Sequence, residues 1–300
     1  MDKDFDTIII GGSYSGLSAA IALARFSRKV LVIDNDRPCN RTATQSNNFF
    51  THDGDSPEVI LAKAKKVLLH YQTVQTKTDT VVLAEKNGKG FNVQTLHGDS
   101  YFSRKLIFAT GVRDIFPDIK GFRECWGISV IHCPYCHGYE LRGQKTAVLV
   151  NGAKGFQIAV LAHNITGQIS IITKGVPEFS EDQRIRFESN GIAVTQKQVL
   201  RIAHQNGHVH ALVFADGTAE DFTAVYAVPD LEQSCDIPRQ MGCALTEAGY
   251  ILVDKARRTS VPGIFACGDC TTPMRSIAYA VSAGSMAGAA VNFELAEELF

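Results

Sequence analysis

No run of eighteen apolar residues occurs anywhere in the 300-residue chain, so no segment reads as a membrane-spanning helix. A charge excess is missing too. Thirty Lys and Arg face thirty-one Asp and Glu, a formal net charge of -1, which excludes the broad basic footprint that nucleic acid needs. The basic residues cluster only at Arg28-Lys29, Lys63 to Lys66 and Arg257-Arg258, all short or interrupted, and read as solvated faces. The start, Met1-Asp2-Lys3-Asp4, lacks a basic segment and a small-residue cleavage site, and runs straight into an apolar strand. With no secretion signal, eight cysteines suit a reducing cytoplasm and specific thiol chemistry better than a disulfide scaffold. Prolines number only nine and hydrophobic residues reach 45%, a globular composition long enough for two domains.

The densest chemistry lies in Cys133-Pro134-Tyr135-Cys136-His137-Gly138-Tyr139-Glu140. A Cys-X-X-Cys pair can close as a disulfide or open to a dithiol and so carry two electrons. Such a setting lowers a thiol's pKa towards neutrality, and His137 adds a side chain that exchanges protons near pH 7. The competing readings are half of a zinc site and two buried cysteines. Zinc needs four ligands, and no further Cys or His pair lies at finger-like spacing, so metal is not expected. Cys267 and Cys270 form a second Cys-X-X-Cys around Gly268-Asp269 and read as small packing residues.

The chain begins with a dinucleotide-binding plan. An apolar strand (Phe5 to Ile10) meets Gly11-Gly12-Ser13-Tyr14-Ser15-Gly16; then come a small-residue helix to Arg25 and a strand from Lys29 to Ile33, ending in Asp34. Gly11 permits the tight turn, Gly16 lets helix and strand approach, and Asp34 can accept from a ribose. Ser13 stands where a middle glycine is usual. A helix from Ser56 or Pro57 to about Tyr71 follows, with Val59, Ile60, Val67 and Leu68 expected on its buried face. Strands are expected at Val81–Ala84, Phe91–Leu96 and Lys105–Ala109, the last ending in Thr110-Gly111.

After the Cys pair the plan repeats in degraded form: a strand (Lys145 to Val150), the turn Asn151-Gly152-Ala153-Lys154-Gly155, a helix (Phe156 to His163) and a strand (Gln168 to Thr173). Val150 stands at the first glycine position, and Lys174 is the only base close by for a 2′-phosphate. This unit therefore reads either as a nucleotide site or as the same shape without a cofactor. Strands near Ile192–Val194 and His208–Phe214 would complete it. The tail, Thr259 to Asp269, reads as a strand ending in Gly268-Asp269 before a small-residue helix, Ala278 to Val291.

These motifs, Ile10-Gly11-Gly12, Ala109-Thr110-Gly111, Cys133 to Cys136 and Thr259 to Asp269, resemble end to end the low-molecular-weight thioredoxin reductases among the FAD-dependent pyridine nucleotide–disulfide oxidoreductases. Gly-Gly-Ser-Tyr near the start and His137 after the second cysteine are closest to a branch that includes gliotoxin-type dithiol oxidases. The resemblance implies an α/β fold of two Rossmann-like domains. FAD would be bound by a discontinuous domain, residues 1–115 and 243–300; a central NAD(P)-type domain, 116–242, would carry the Cys pair. It implies that Gly11, Gly12, Ser13 and Gly16 lie at the FAD pyrophosphate, Asp34 at its ribose, Asn48, Thr110 and Gly111 near the flavin, and Gly268 and Asp269 at the ribityl chain. Cys136 would face the flavin, Cys133 would exchange with substrate, and His137 would take the acid–base role that an aspartate holds in the usual reductase. The expected partners are a thioredoxin-like protein or a small dithiol or disulfide, in a cytoplasmic homodimer. NADPH is one candidate donor. Oxygen-dependent dithiol oxidation, a ferredoxin-type donor and a non-catalytic flavin sensor are the alternatives.

Overall fold

In the computed structural model, residues 3–300 are described; Met1 and Asp2, which open the expected leaderless start, lie outside them. The chain divides into two compact units. The first comprises Met1–Arg41, Glu58–Arg113 and Leu231–Phe300, and the second Thr42–Pro57 and Asp114–Asp230. The sequence expectation sets the crossings at 115/116 and 242/243 and counts residues 42–57 in the first domain, whereas this division puts them in the second unit.

The first unit opens with β1 (Asp4–Ile10), α1 (Tyr14–Ala24), β2 (Val30–Asp34), α2 (Pro57–Leu68), β3 (Val74–Thr78), β4 (Val81–Asn87), β5 (Gly90–Thr95) and β6 (Ser100–Phe108). Then β7 (Val112–Ile115) leads into the second unit. Strands β3, β2, β1 and β6 run side by side and parallel. The first half of β6 pairs antiparallel with β5, and β5 with β4, so a meander is grafted onto a parallel sheet. Ile8 and Ile9 point to opposite faces and both are fully buried, which is why this strand reads as a continuous apolar run rather than an alternation. In α2 Pro57, Ile60 and Leu68 are buried, whereas Val59 and Val67 are 42% exposed, so two of the four positions expected inside lie there.

The second unit contains α3 (Phe122–Cys125), β8 (Val130–Ile131), α4 (Pro134–His137), β9 (Thr146–Leu149), α5 (Gly152–Thr166), β10 (Ile169–Ile172), α6 (Glu181–Ser189) and β11 (Ala193–Thr195). It continues through β12 (Val199–Gln205), β13 (His208–Phe214), β14 (Ala219–Asp221) and β15 (Ala224–Ala227), and β16 (Asp230–Gln233) leads out. Five parallel strands in the order β11-β10-β9-β15-β8 form its main sheet, with β12-β13-β14 as an antiparallel ribbon. α5 starts four residues before the expected Phe156, because the Asn151 side chain caps it at Gly152.

The chain then finishes the first unit with α7 (Ile237–Gln240), β17 (Ile264–Ala266) and α8 (Ile277–Glu297). β17 pairs parallel with the second half of β6, extending the sheet on the edge that β5 leaves open. α8 lies against α1 so closely that a Cβ on Gly284 would meet the Ser15 carbonyl, and one on Gly288 would come 2.6 Å from that of Ala19. The sequence-expected alternation of strand, helix and strand around parallel sheets is thus present in both units.

Candidate active site

In the first unit, the expected residues gather at the carboxyl ends of β1, β2, β6 and β17. That is where open α/β sheets hold ligands. Gly11 follows β1 with φ 106, and a Cβ there would run into the Ala109 carbonyl at the end of β6. A Cβ on Gly16 would meet the Gly11 carbonyl, so the turn and the first helical turn are packed backbone to backbone. Gly12 donates its N–H to Asp34 Oδ1 at 2.8 Å, and a Cβ on it would lie 2.8 Å from Asp34 Cβ. Asp34 Oδ2 takes a second N–H, from Asp36 at 3.2 Å; a carboxylate has about four lone-pair directions, so capacity remains for a hydroxyl. Ser13 is the N-cap of α1, and its side chain makes no capping hydrogen bond. The helix therefore presents its first N–H groups and the positive end of its dipole without a side-chain partner.

Thr110 and Gly111 follow β6. Thr110 Oγ1 is buried beside the Cys270 thiol, and Gly111 adopts a left-handed φ of 65. Gly268, with φ 81, lies over the start of α1: a Cβ there would be 2.5 Å from Ser15 Oγ. Asp269 follows it, with Oδ2 3.6 Å from Arg275 Nε. A cavity of about 330 Å³ runs along this end of the sheet, lined among others by Gly11, Asp34, Thr110, Thr80, Val81 and Cys235. The glycine cradle, the half-used Asp34 carboxylate and the cavity fit a dinucleotide with a pyrophosphate and a ribose.

Cys267 and Cys270 are fully buried between these elements, and burial raises both thiols, Cys270 to about 11. Cys270 Sγ lies against two carbonyls, 3.3 Å from that of Cys267 and 3.5 Å from that of Phe108. Thiols held in this state have almost no thiolate at neutral pH and act as packing groups.

In the second unit, Cys133 and Cys136 are joined as a disulfide across one helical turn, with 5.3 Å between their Cα atoms. Cys133 is the N-cap of α4 and Pro134 its first residue, so the fixed proline φ starts the turn. Gly138 ends the turn against α5: a Cβ there would be 2.6 Å from Ile165 Cδ1. Both cysteines and His137 are half-buried, while Tyr135 and Tyr139 are exposed. Burial of the imidazole lowers the His137 pKa, opposed by the Glu140 charge and the nearby Cys133 carbonyl. His137 Nδ1 is buried short of good hydrogen-bond geometry to any acceptor. The ring is therefore neutral at pH 7, and able to accept a proton.

Asn47 was not expected in the site. Its Nδ2 donates to the Cys136 carbonyl at 2.9 Å, across 89 residues of sequence, and so ties the loop before α2 to the Cys turn. The expected neighbour, Asn48, is instead an exposed residue with φ 59, whose N–H donates to Asp53 Oδ1 at 2.6 Å. Asn48 belongs to the second unit. Two adjacent asparagines give no sequence signal for which one turns inward. No group of three or more His, Cys, Asp or Glu that could hold a metal ion occurs among the described residues.

The family model described as pyridine nucleotide-disulphide oxidoreductase matches residues 5–287. Thioredoxin reductase sirT of Leptosphaeria maculans is 33% identical, over 97% of this chain and 94% of that protein. Among solved structures, an oxidoreductase from Agrobacterium tumefaciens superposes with a TM-score of 0.92 at 35% identity, covering 98% of this chain and 99% of that one. The putative thioredoxin reductase TrxB from Bacillus anthracis gives 0.93 at 28% identity, covering 99% of this chain and all of the other.

Proposed function

Because this chain belongs to the pyridine nucleotide–disulphide oxidoreductase family, we propose that it is an FAD-dependent thiol–disulfide oxidoreductase working through Cys133 and Cys136. The observation that carries this reading is the Cys133–Cys136 disulfide, on a half-exposed turn beside a neutral, buried-edge imidazole. On this reading the glycine cradle of the first unit holds FAD. Gly11, Gly12, Ser13 and Gly16 would take the pyrophosphate, Asp34 the ribose, and Thr110, Gly111, Gly268 and Asp269 the flavin end. Asn48, exposed in the second unit, has less to support a flavin role than Asn47 has for positioning the Cys turn. Bound FAD would supply a two-electron couple for the disulfide.

The exchange balances within the chain's own residues. A substrate dithiol gives a proton to His137, and its thiolate attacks Cys133 Sγ, breaking the disulfide. Cys136 departs as thiolate and receives the proton from His137. The second substrate thiol then attacks the mixed disulfide, its sulfur displaces Cys133, and its proton ends on Cys133. The substrate leaves as a disulfide and the enzyme as a dithiol; run backwards, the same steps reduce a disulfide. The partner on this reading is a thioredoxin-like protein or a small dithiol.

A homodimer has its own support. Ala278, Ser282, Ser285, Met286, Ala289, Phe293 and Ala296 form an exposed, uncharged stripe along α8. No described helix is long and apolar enough to cross a membrane. The test of the central reading is anaerobic. A dithiol added to flavin-loaded protein should bleach the visible flavin band, and Cys136→Ser should abolish that response; a Cys136→Ser protein that bleaches at the wild-type rate would sink the proposal.

A further inference from the structure

The two glycine turns differ in what meets the helix behind them. α1 starts with a side chain that makes no cap, whereas α5 starts with Asn151, whose Oδ1 accepts the Gly152 N–H at 2.9 Å. The same oxygen accepts the Glu178 N–H at 2.9 Å, and Asn151 Nδ2 donates to the Val176 carbonyl at 2.9 Å. From the other side Arg184 donates through Nε to the Phe179 carbonyl at 3.2 Å and through Nη2 to that of Pro177 at 3.3 Å. The end of the segment is anchored in the core, where the Phe179 ring meets Phe187 edge-on with centroids 5.0 Å apart. The connection between β10 and α6 is thus pinned back onto the turn between β9 and α5.

Its position matters because of Glu178. A Cβ built on Gly152 would lie 3.5 Å from Glu178 Oε2. Gly152 holds the second glycine position of the fingerprint, where lack of a side chain lets a pyrophosphate approach the backbone. Here that approach is taken by a carboxylate of the same charge sign as the ligand. The first N–H of the helix, which an incoming phosphate would need, already has a partner. Arg184, on α6, spends its guanidinium on two backbone carbonyls of the 175–179 segment. Gly155 keeps the packing role of its kind, since a Cβ there would meet the Val150 carbonyl. The architecture of a nucleotide turn is retained, and the exposed Glu178 side chain lies over its second glycine position.

We propose that residues 175–179 form a strap that closes the dinucleotide site of the second unit, so that neither NADPH nor NADH binds there, and that electrons enter this protein through Cys133–Cys136. The second clause rests on the thiol–disulfide reading given above.

The test uses the flavin-loaded protein under anaerobic conditions, with NADPH or NADH added to about 1 mM and binding read by calorimetry as well as by the flavin band. Wild type should show no saturable binding and no bleaching by either nucleotide. Replacing Asn151 and Glu178 together by glycine should open the turn and tighten NADPH binding by at least about tenfold. Where that double variant fails to fold, Glu178→Gln carries the test, removing the charge alone; it too should tighten binding measurably. Saturable wild-type binding with a Kd below about 100 µM overturns the strap, as does a folded, opened variant with wild-type affinity. A dithiol added to the same samples separates the two proposals. Nucleotide binding with dithiol bleaching intact removes only the strap; absent dithiol bleaching with nucleotides still rejected removes the thiol–disulfide reading and leaves the strap standing.

Discussion

At the scale of single residues, the chemistry turns on which sulfur can become thiolate and which base can help it. Burial lowers the His137 pKa below its ordinary 6.5, so the imidazole is neutral through the physiological range. It loses its capacity as a base only as the pH falls through that lowered value. The rate of dithiol exchange should therefore hold level from pH 8 to below 6.5 on the His137 side, then decline. His137→Gln should lose this acidic limb and slow exchange by about a hundredfold, the usual reach of a positioned base. Stopped-flow measurement of the exchange step against pH checks it, and an unchanged profile would remove His137 from the proton path. The same depression bears on stability with a definite sign. Between the lowered pKa and 6.5 the unfolded chain binds more protons at this position than the folded one, so stability from His137 rises with pH across that window and levels off above it. Cys267 and Cys270 supply the contrast. Both are fully buried with raised thiol pKa values. Replacing both by Ala should leave the exchange rate within about twofold while lowering the unfolding free energy by about 1–3 kcal/mol from lost packing, read by denaturant titration. A collapse of exchange in a folded double variant would give that pair a redox role after all.

At the scale of elements, the fold depends on backbone approaches that no side chain allows. Gly284 on α8 faces the Ser15 carbonyl on α1, one residue before Gly16 closes the cradle. Gly284→Val should push these helices apart, destabilise the protein by about 1–3 kcal/mol and lower the fraction of flavin retained on purification. Thermal unfolding and the ratio of visible to ultraviolet absorbance measure the two effects, and a variant with wild-type values of both would separate helix packing from the cradle. Elements such as β1, α1 and β2 were legible because their signals are local: an isoleucine run, glycines at fixed offsets, and an acid after the second strand. The start of α6 is marked in the same local way, for Ser180 and Gln183 form a reciprocal capping box there. What lay beyond sequence was contact between distant segments. Nothing in Asn47-Asn48 says that the first amide reaches Cys136, or that Asn151 would turn back to hold Val176 and Glu178. Val59 and Val67 mislead for a different reason. On a short amphipathic helix a valine at the edge of the stripe looks like one at its centre until the sheet behind it is known.

At the scale of the whole molecule, the exposed stripe on α8 bears on the homodimer proposed above. The helix runs for 21 residues, about 31 Å, and its outer face carries no charge from Ala278 to Ala296. Most residues on that face are Ala or Ser, which let a second helix come close; Met286, 41% exposed, and Phe293, 58% exposed, are large enough to fill the gaps of an identical partner. Two copies related by a two-fold axis would cover both faces at once, since such an interface is self-complementary. Wild type should therefore run at about twice the 32.7 kDa chain mass in light scattering at micromolar concentration. Phe293→Glu would bury a carboxylate from each copy in that interface, and should return the protein to chain mass. Phe293 makes no contribution to the cradle around Gly11 or to the Cys133–Cys136 turn, so flavin content and dithiol bleaching in the variant report whether each chain works alone. A wild type that scatters at chain mass would leave the stripe without a second copy and remove the dimer from the proposal.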